Sequence, residues 1–107
     1  MNSVVQIIEP EGILDSTKAD DFQHQIEQSI DSGVHTILVD FSNVTFMDSS
    51  GLGALVKALK TLKAAEVNLY LCSINEQVRM LFELTSMDEY FSILDSRQEF
   101  EQELYKK

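Results

Sequence analysis

A chain of 107 residues with one cysteine and a formal charge of −10 is long enough to bury a core in one domain without disulfides or metal. The acidic balance argues against nucleic acid and anionic membrane surfaces as partners, and a lone cysteine excludes an internal disulfide, which fits a reducing compartment. The opening MNSVVQIIEPEG lacks the basic start and long apolar core of a signal peptide, and no apolar run approaches the ~18 residues of a membrane span. The expectation is a single domain over residues 1–107, cytoplasmic and monomeric when free.

In chain order, Val4–Ile8 and Gly12–Leu14 are short apolar pieces separated by Glu9-Pro10-Glu11, a turn signal that predicts a hairpin. From Asp15 the period changes. Ala19, Phe22, Ile26 and Ile30 recur every three or four residues with Gly33 just beyond, the pattern of an amphipathic helix capped by Asp15 or Ser16. His35–Phe41 is apolar without alternation and reads as a buried central strand. After a turn at Ser42-Asn43 comes TFMDSSGLGALV, leading into a helix whose apolar face is Leu52, Leu55, Val56, Leu59 and Leu62.

Val67–Cys72 predicts a second central strand. Ser73 with Glu76 has the form of a capping box for a third helix that turns Val78, Leu81 and Phe82 inward. Phe91–Leu94 is a short last strand, and Ser96 with Glu99 is a second capping box, opening a terminal helix that buries Phe100 and Leu104. The order is ββαβαβαβα in an α/β domain. The sheet is expected to be mixed, of four to five strands, with parallel inner strands joined by helical crossovers. Function in such sheets gathers at the carboxyl ends of the strands, which directs attention to the loop after Ile37–Phe41.

That loop carries Asp48-Ser49-Ser50-Gly51-Leu52-Gly53. Ser and Asp are good helix N-caps because their oxygens accept from unpaired first-turn amides, so capping alone accounts for one of these residues. Two serines exceed that need, and two glycines in the first turn cost on the order of 1 kcal/mol each relative to alanine. Such glycines make sense where something must approach the backbone closely. A helix N-terminus also tolerates an anion, so a phosphoserine there would change the surface without requiring a new fold.

Other chemistry finds little support. There is no phosphate-binding G-x-x-x-x-G-K-[ST], and Gly51-Leu52-Gly53 lacks the third glycine of a dinucleotide turn. His24 and His35 have no Cys or His neighbour at metal spacing, and Ser49 does not lie in a G-x-S-x-G elbow. Cys72, among apolar residues at a strand end, reads as a small core residue. Lys57, Lys60 and Lys63 form a basic strip on an acidic protein. No catalytic constellation, cofactor or metal is expected.

FMDSSGLGAL (Phe46–Leu55) after ILVDF (Ile37–Phe41), with GILD (Gly12–Asp15) before and VRMLFEL (Val78–Leu84) after, resembles the bacterial STAS-domain anti-sigma factor antagonists over nearly the whole chain. The resemblance implies a non-enzymatic partner switch that regulates sigma-dependent transcription. It implies binding to an anti-sigma factor that is also a serine kinase, phosphorylation on Ser49, and reversal by a metal-dependent serine phosphatase. It further implies that Asp48, Ser50 and Gly51 shape the loop, and that Asp15 and Asp40 share its partner-facing surface.

Two positions depart from the family's pattern. Ala65-Glu66 and Ser86 stand where glycine commonly ends a helix, which predicts local conformational cost. An aspartate-phosphorylated receiver domain fits poorly, since Glu9-Pro10-Glu11 does not supply its acidic pair and Cys72-Ser73 lacks its lysine. The competing reading is a STAS scaffold that is never phosphorylated, serving a sensory or lipid-transport complex.

Overall fold

The first two strands do not fold back on each other. A computed structural model describes residues 4–105. In it β1 (Val5–Ile8) pairs parallel with β3 (Thr36–Asp40), and β2 (Gly12–Leu14) pairs parallel with β4 (Val44–Met47). The expected hairpin is therefore replaced by two chain segments running side by side, each bent once. The bends, Glu9–Glu11 and Phe41–Asn43, lie beside each other, with the Gly12 amide donating to the Asn43 carbonyl at 2.8 Å. Gly12 takes φ +71°, and the register shifts immediately after it. The Pro-Glu-Gly signal marks a kink here. Parallel pairing buries Ile8 and Leu14, whereas an isolated hairpin of three- and four-residue strands would be marginal.

The complete order is β1, β2, α1 (Ser16–Asp31), β3, β4, α2 (Ser49–Ala64), β5 (Asn68–Cys72), α3 (Glu76–Leu84), a 3-10 turn at Met87–Glu89, β6 (Ser92–Leu94) and α4 (Arg97–Leu104). It contains one strand, β4, more than the sequence pattern predicts. The main sheet runs β1-β3-β5-β6, and β2-β4 forms a separate ladder. Every described pairing is parallel, so the sheet is not mixed.

Three layers explain the unbroken apolar run of β3. Ile37 and Val39 face a core built with Phe22 and Ile26 of α1, Leu55 and Leu62 of α2, and Phe82 of α3. Leu38 faces the opposite side, where α4 lays Phe100 against it and Cys72, with Tyr70 edge-on to the Phe100 ring at a centroid distance of 5.4 Å. A strand covered on both faces needs apolar residues at every position.

Helix ends follow side-chain chemistry with one correction. Asp15 caps α1, and Ser96 caps α4 through the Glu99 amide at 3.1 Å. The Ser73–Glu76 box does not form. Asn75 caps α3 by accepting from the Val78 amide at 2.9 Å, and Ser73 sits at φ +60° in the turn before it. Glu66 and Ser86 both adopt positive φ, 60° and 59°, the left-handed conformation that the missing glycines would take at lower cost.

Candidate functional site

Leu14 and Met47 are partners in the β2–β4 ladder, so the residues that follow them, Asp15 and Asp48, leave the sheet side by side. Each begins a helix. Asp15 accepts from the Thr17 amide at 3.0 Å and hydroxyl at 2.6 Å, and Asp48 accepts from the Gly51 amide at 3.0 Å. The Thr17 hydroxyl holds the Asp15 carboxyl below its usual range; burial opposes it, and the Thr17 amide and Lys18 add smaller effects in the same direction as the hydroxyl. The structure thus gathers Asp15, Asp48, Ser49, Ser50 and Gly51 at one edge, beyond the carboxyl ends of β2 and β4.

The capping question resolves in favour of the aspartate. With Asp48 as N-cap, Ser49 and Ser50 are the first two residues of α2. Both are exposed, and neither hydroxyl takes a hydrogen-bond partner among the described residues. They stand where a helix offers free amides and the positive end of its dipole.

The two glycines have different reasons. Gly51 is buried, and a Cβ on it would lie 2.2 Å from the Leu14 carbonyl oxygen and 2.7 Å from Met47 Cγ. The close approach inferred for it is made by the chain itself. Gly53 is exposed with open space around it, so the fold alone does not require a glycine there.

Two residues that position the site escape notice in the sequence. The Gln77 amide grips the peptide groups of Met47, accepting from its N–H at 2.9 Å and donating to its C=O at 2.8 Å. Asn75, while capping α3, also donates to the Val44 and Thr45 carbonyls at 3.2 and 3.3 Å. Together they close the free edge of β4 with side-chain amides and fix the residue that precedes Asp48. Polar residues at the N-cap and in the first turn of α3 would be the only sequence cue to such a role.

Asp40 is not part of this cluster. It ends β3 in the main sheet, is 5% exposed, and points toward α4. Its carboxylate accepts from the Ser42 amide and hydroxyl at 2.9 and 2.5 Å and from Arg97 at 2.8 Å. Burial pushes its pKa up, but these donors outweigh that and leave the carboxyl below its usual range. Arg97 also pairs with Glu9, tying α4 to the ends of β1 and β3. Asp40 thus fits a structural tie better than a surface contact.

The remaining chemistry-bearing residues stay apart. His24 and His35 are exposed, and no group of His, Cys, Asp or Glu among the described residues could hold a metal ion. Cys72 is buried and free, and burial pushes its thiol pKa up, the setting of an inert core cysteine. No helix among the described residues is long and apolar enough to cross a membrane.

Comparison with known proteins gives a consistent picture. A family model described as the STAS domain matches residues 2–100. An anti-sigma-B factor antagonist of Staphylococcus epidermidis is 36% identical over 61 residues, 57% of this chain and 56% of the relative, so the match spans little more than half the length of that protein. An anti-sigma-B factor antagonist of Staphylococcus aureus is 29% identical over 82 residues, 77% of this chain and 76% of the relative. A Thermotoga maritima structure, provisionally described as an anti-sigma factor antagonist, is 28% identical with a TM-score of 0.85, covering 95% of this chain and 90% of that one. The anti-sigma factor antagonist SpoIIAA in its unphosphorylated form shares the fold at a TM-score of 0.75 and 23% identity, over 100% of this chain and 94% of its own. The α/β order, the paired strand ends beneath α2 and the family match over residues 2–100 agree: the chain belongs to the STAS-domain family.

Proposed function

We propose that this chain is an anti-sigma factor antagonist that acts as one cytoplasmic STAS domain and binds an anti-sigma factor serine kinase, with Ser49 as the phosphorylated switch. The observation that carries this reading is that Asp48 does the capping and leaves the exposed Ser49 hydroxyl without a structural task. The names of the relatives support an anti-sigma factor as the partner. A metal-dependent serine phosphatase would restore the binding form.

The mechanism follows from charge at one strand edge. Phosphorylation adds about −1.5 to −2 charges at the start of α2. The helix dipole offsets part of that by ~0.3–1 kcal/mol, while Asp48 and the neighbouring Asp15 are already anionic. The fold survives because the serine is exposed and its hydroxyl is unused. What changes is an acidic edge becoming strongly acidic, so a partner surface that docks there with a carboxylate or an apolar group meets an unpaired charge. Leaving such a charge buried costs roughly 2–5 kcal/mol, enough to release a complex. Ser50 belongs to the same exposed surface and the buried Gly51 seats the turn beneath it, whereas Asp40 would act only by holding α4 in place.

The test is intact mass and site mapping after incubation with ATP, Mg²⁺ and each anti-sigma kinase of the source organism. One phosphate on Ser49, absent in Ser49→Ala, supports the reading, with Ser49→Ala binding the kinase constitutively and Ser49→Asp binding weakly. Phosphate on Ser50 would move the site. A kinase that binds the chain without modifying it would favour an unphosphorylated STAS scaffold.

A further inference from the structure

On the far half of α2 from Ser49 lies a hollow of about 340 Å³, at the small end of the ~300–1,000 Å³ typical of small-molecule sites. Val56 and Leu59 of α2 form one wall, and Met87 and Phe91 form the other. Phe91 is buried and belongs to the main core, while Val56, Leu59 and Met87 are half-buried against it. Tyr90, Lys60 and Lys63 complete the mouth. The hollow is mainly apolar, and the exposed Lys60, Lys63 and Tyr90 are the polar residues among its lining.

Charge makes the hollow selective. The chain has 18 acidic residues against 8 lysines and arginines, yet neither Lys60 nor Lys63 forms an ion pair among the described residues, where the ion pairs are those of Arg97 with Glu9 and Asp40. Lys63 lies in the last turn of α2, where the helix dipole favours a cation. That accounts for one lysine and leaves Lys60 and the apolar cleft unexplained. Two unpaired cations one turn apart over an apolar wall complement a single anionic head on an apolar body. A bare apolar ligand would leave the ammonium groups unanswered, and a cationic one would be repelled.

We infer that this hollow binds a small amphipathic carboxylate, of the size and character of a medium-chain fatty acid. The apolar chain would lie between Leu59 and Met87, whose unbranched thioether adapts to flexible ligands, and the carboxylate would sit between Lys60 and Lys63. The inference is independent of the role of Ser49.

Decanoate below its micellar concentration, titrated into the 107-residue chain and followed by calorimetry and amide NMR shifts, tests it. The expected result is saturable one-to-one binding with the largest shifts at Val56, Leu59, Met87 and Phe91, and weaker or no binding of decanol and decylamine. Lys60→Gln with Lys63→Gln should weaken decanoate about five- to tenfold, the size of two exposed ion pairs. Lys57→Gln, an exposed lysine of the same strip that does not line the hollow, should leave it unchanged. Absence of saturable binding, equal binding of decanol or decylamine, shifts centred elsewhere, or indifference to the double substitution would each overturn the proposal.

Discussion

The α-carbon of Gly51 rests against the carbonyl of Leu14, so closely that a methyl group in that direction would stand 2.2 Å from the oxygen. The start of α2 is thereby seated on the end of β2. A backbone carbonyl cannot move aside cheaply, so Gly51→Ala is expected to destabilise the fold by ~1–3 kcal/mol, an overpacking cost only partly offset by better helix propensity. Gly53→Ala, into open space, should instead stabilise by ~0.5–1 kcal/mol. Urea unfolding of both variants checks the contrast. If Gly53→Ala is more stable yet binds the partner less well, the bare backbone at that position serves the interface.

Cap and switch separate by mutation. Asp48→Ala should cost ~1 kcal/mol, the usual effect of losing an N-cap, whereas Ser49→Ala should stay within ~0.5 kcal/mol of the parent, as for a surface position. Thermal or chemical denaturation of the two variants decides it. A larger loss at Ser49 would make that serine the structural cap.

The Asp40–Arg97 tie sets an acid limit. Asp40 titrates lower in the folded chain than in the unfolded one, so its contribution is complete above the ordinary carboxylate range and is lost as pH falls through the folded value, that is, below pH ~4. Arg97→Met should cost ~1–2 kcal/mol near neutral pH, less than the ~3–5 kcal/mol of a fully buried pair, because the arginine side chain is 39% exposed and water screens it. Glu9→Gln, at a 53% exposed partner, should be nearly neutral. A pH series of denaturation midpoints should show a shallower acid limb in Asp40→Asn than in the parent.

Glu66 and Ser86 end their helices at positive φ without glycine. A non-glycine residue there costs ~1–2 kcal/mol, and glycine's greater freedom in the unfolded chain returns ~0.4–1 kcal/mol of any gain. Glu66→Gly and Ser86→Gly should each stabilise by roughly 0.5–1 kcal/mol, raising Tm by a few degrees in a domain of this size. Calorimetry would reveal it, and a fall in Tm would show that the side chains hold contacts worth more than the strain.

Helices and buried strands are legible in this sequence because their signals are local. Phe22, Ile26, Leu55 and Leu62 recur at helical spacing and are buried as that spacing requires. The unbroken Ile37–Val39 run announces a strand covered on both faces. Strand direction is not local. Glu9-Pro10-Glu11-Gly12 serves a kink as well as a reversal, and only the partner strands choose between them. The extra strand, Val44–Met47, was hidden because its Thr45 and Phe46 are exposed while its edge is satisfied by Asn75 and Gln77, about thirty positions away in sequence. At the site, D-S-S-G was readable as a helix start, but which oxygen caps it depends on geometry. Asp40 looked like a member of the cluster because it also ends a strand, although the bend at Phe41–Asn43 puts β3 and β4 in different ladders.

Every ladder in the described chain is closed across a helix, from Val5 with Thr36 to Tyr70 with Ser92. No pair of strands can therefore zip from a tight turn, and each must wait until a long stretch of chain has been gathered. Such wiring places folding toward the slower end for a small domain, above the microsecond range of helical bundles and toward milliseconds to seconds. A newly made chain would expose its apolar β3 until α2, β5 and α4, all later in the chain, arrive to cover it. The interval between synthesis and burial, rather than the finished fold, is when this acidic protein is most exposed to aggregation, and its charge of −10 gives it electrostatic self-repulsion during that interval.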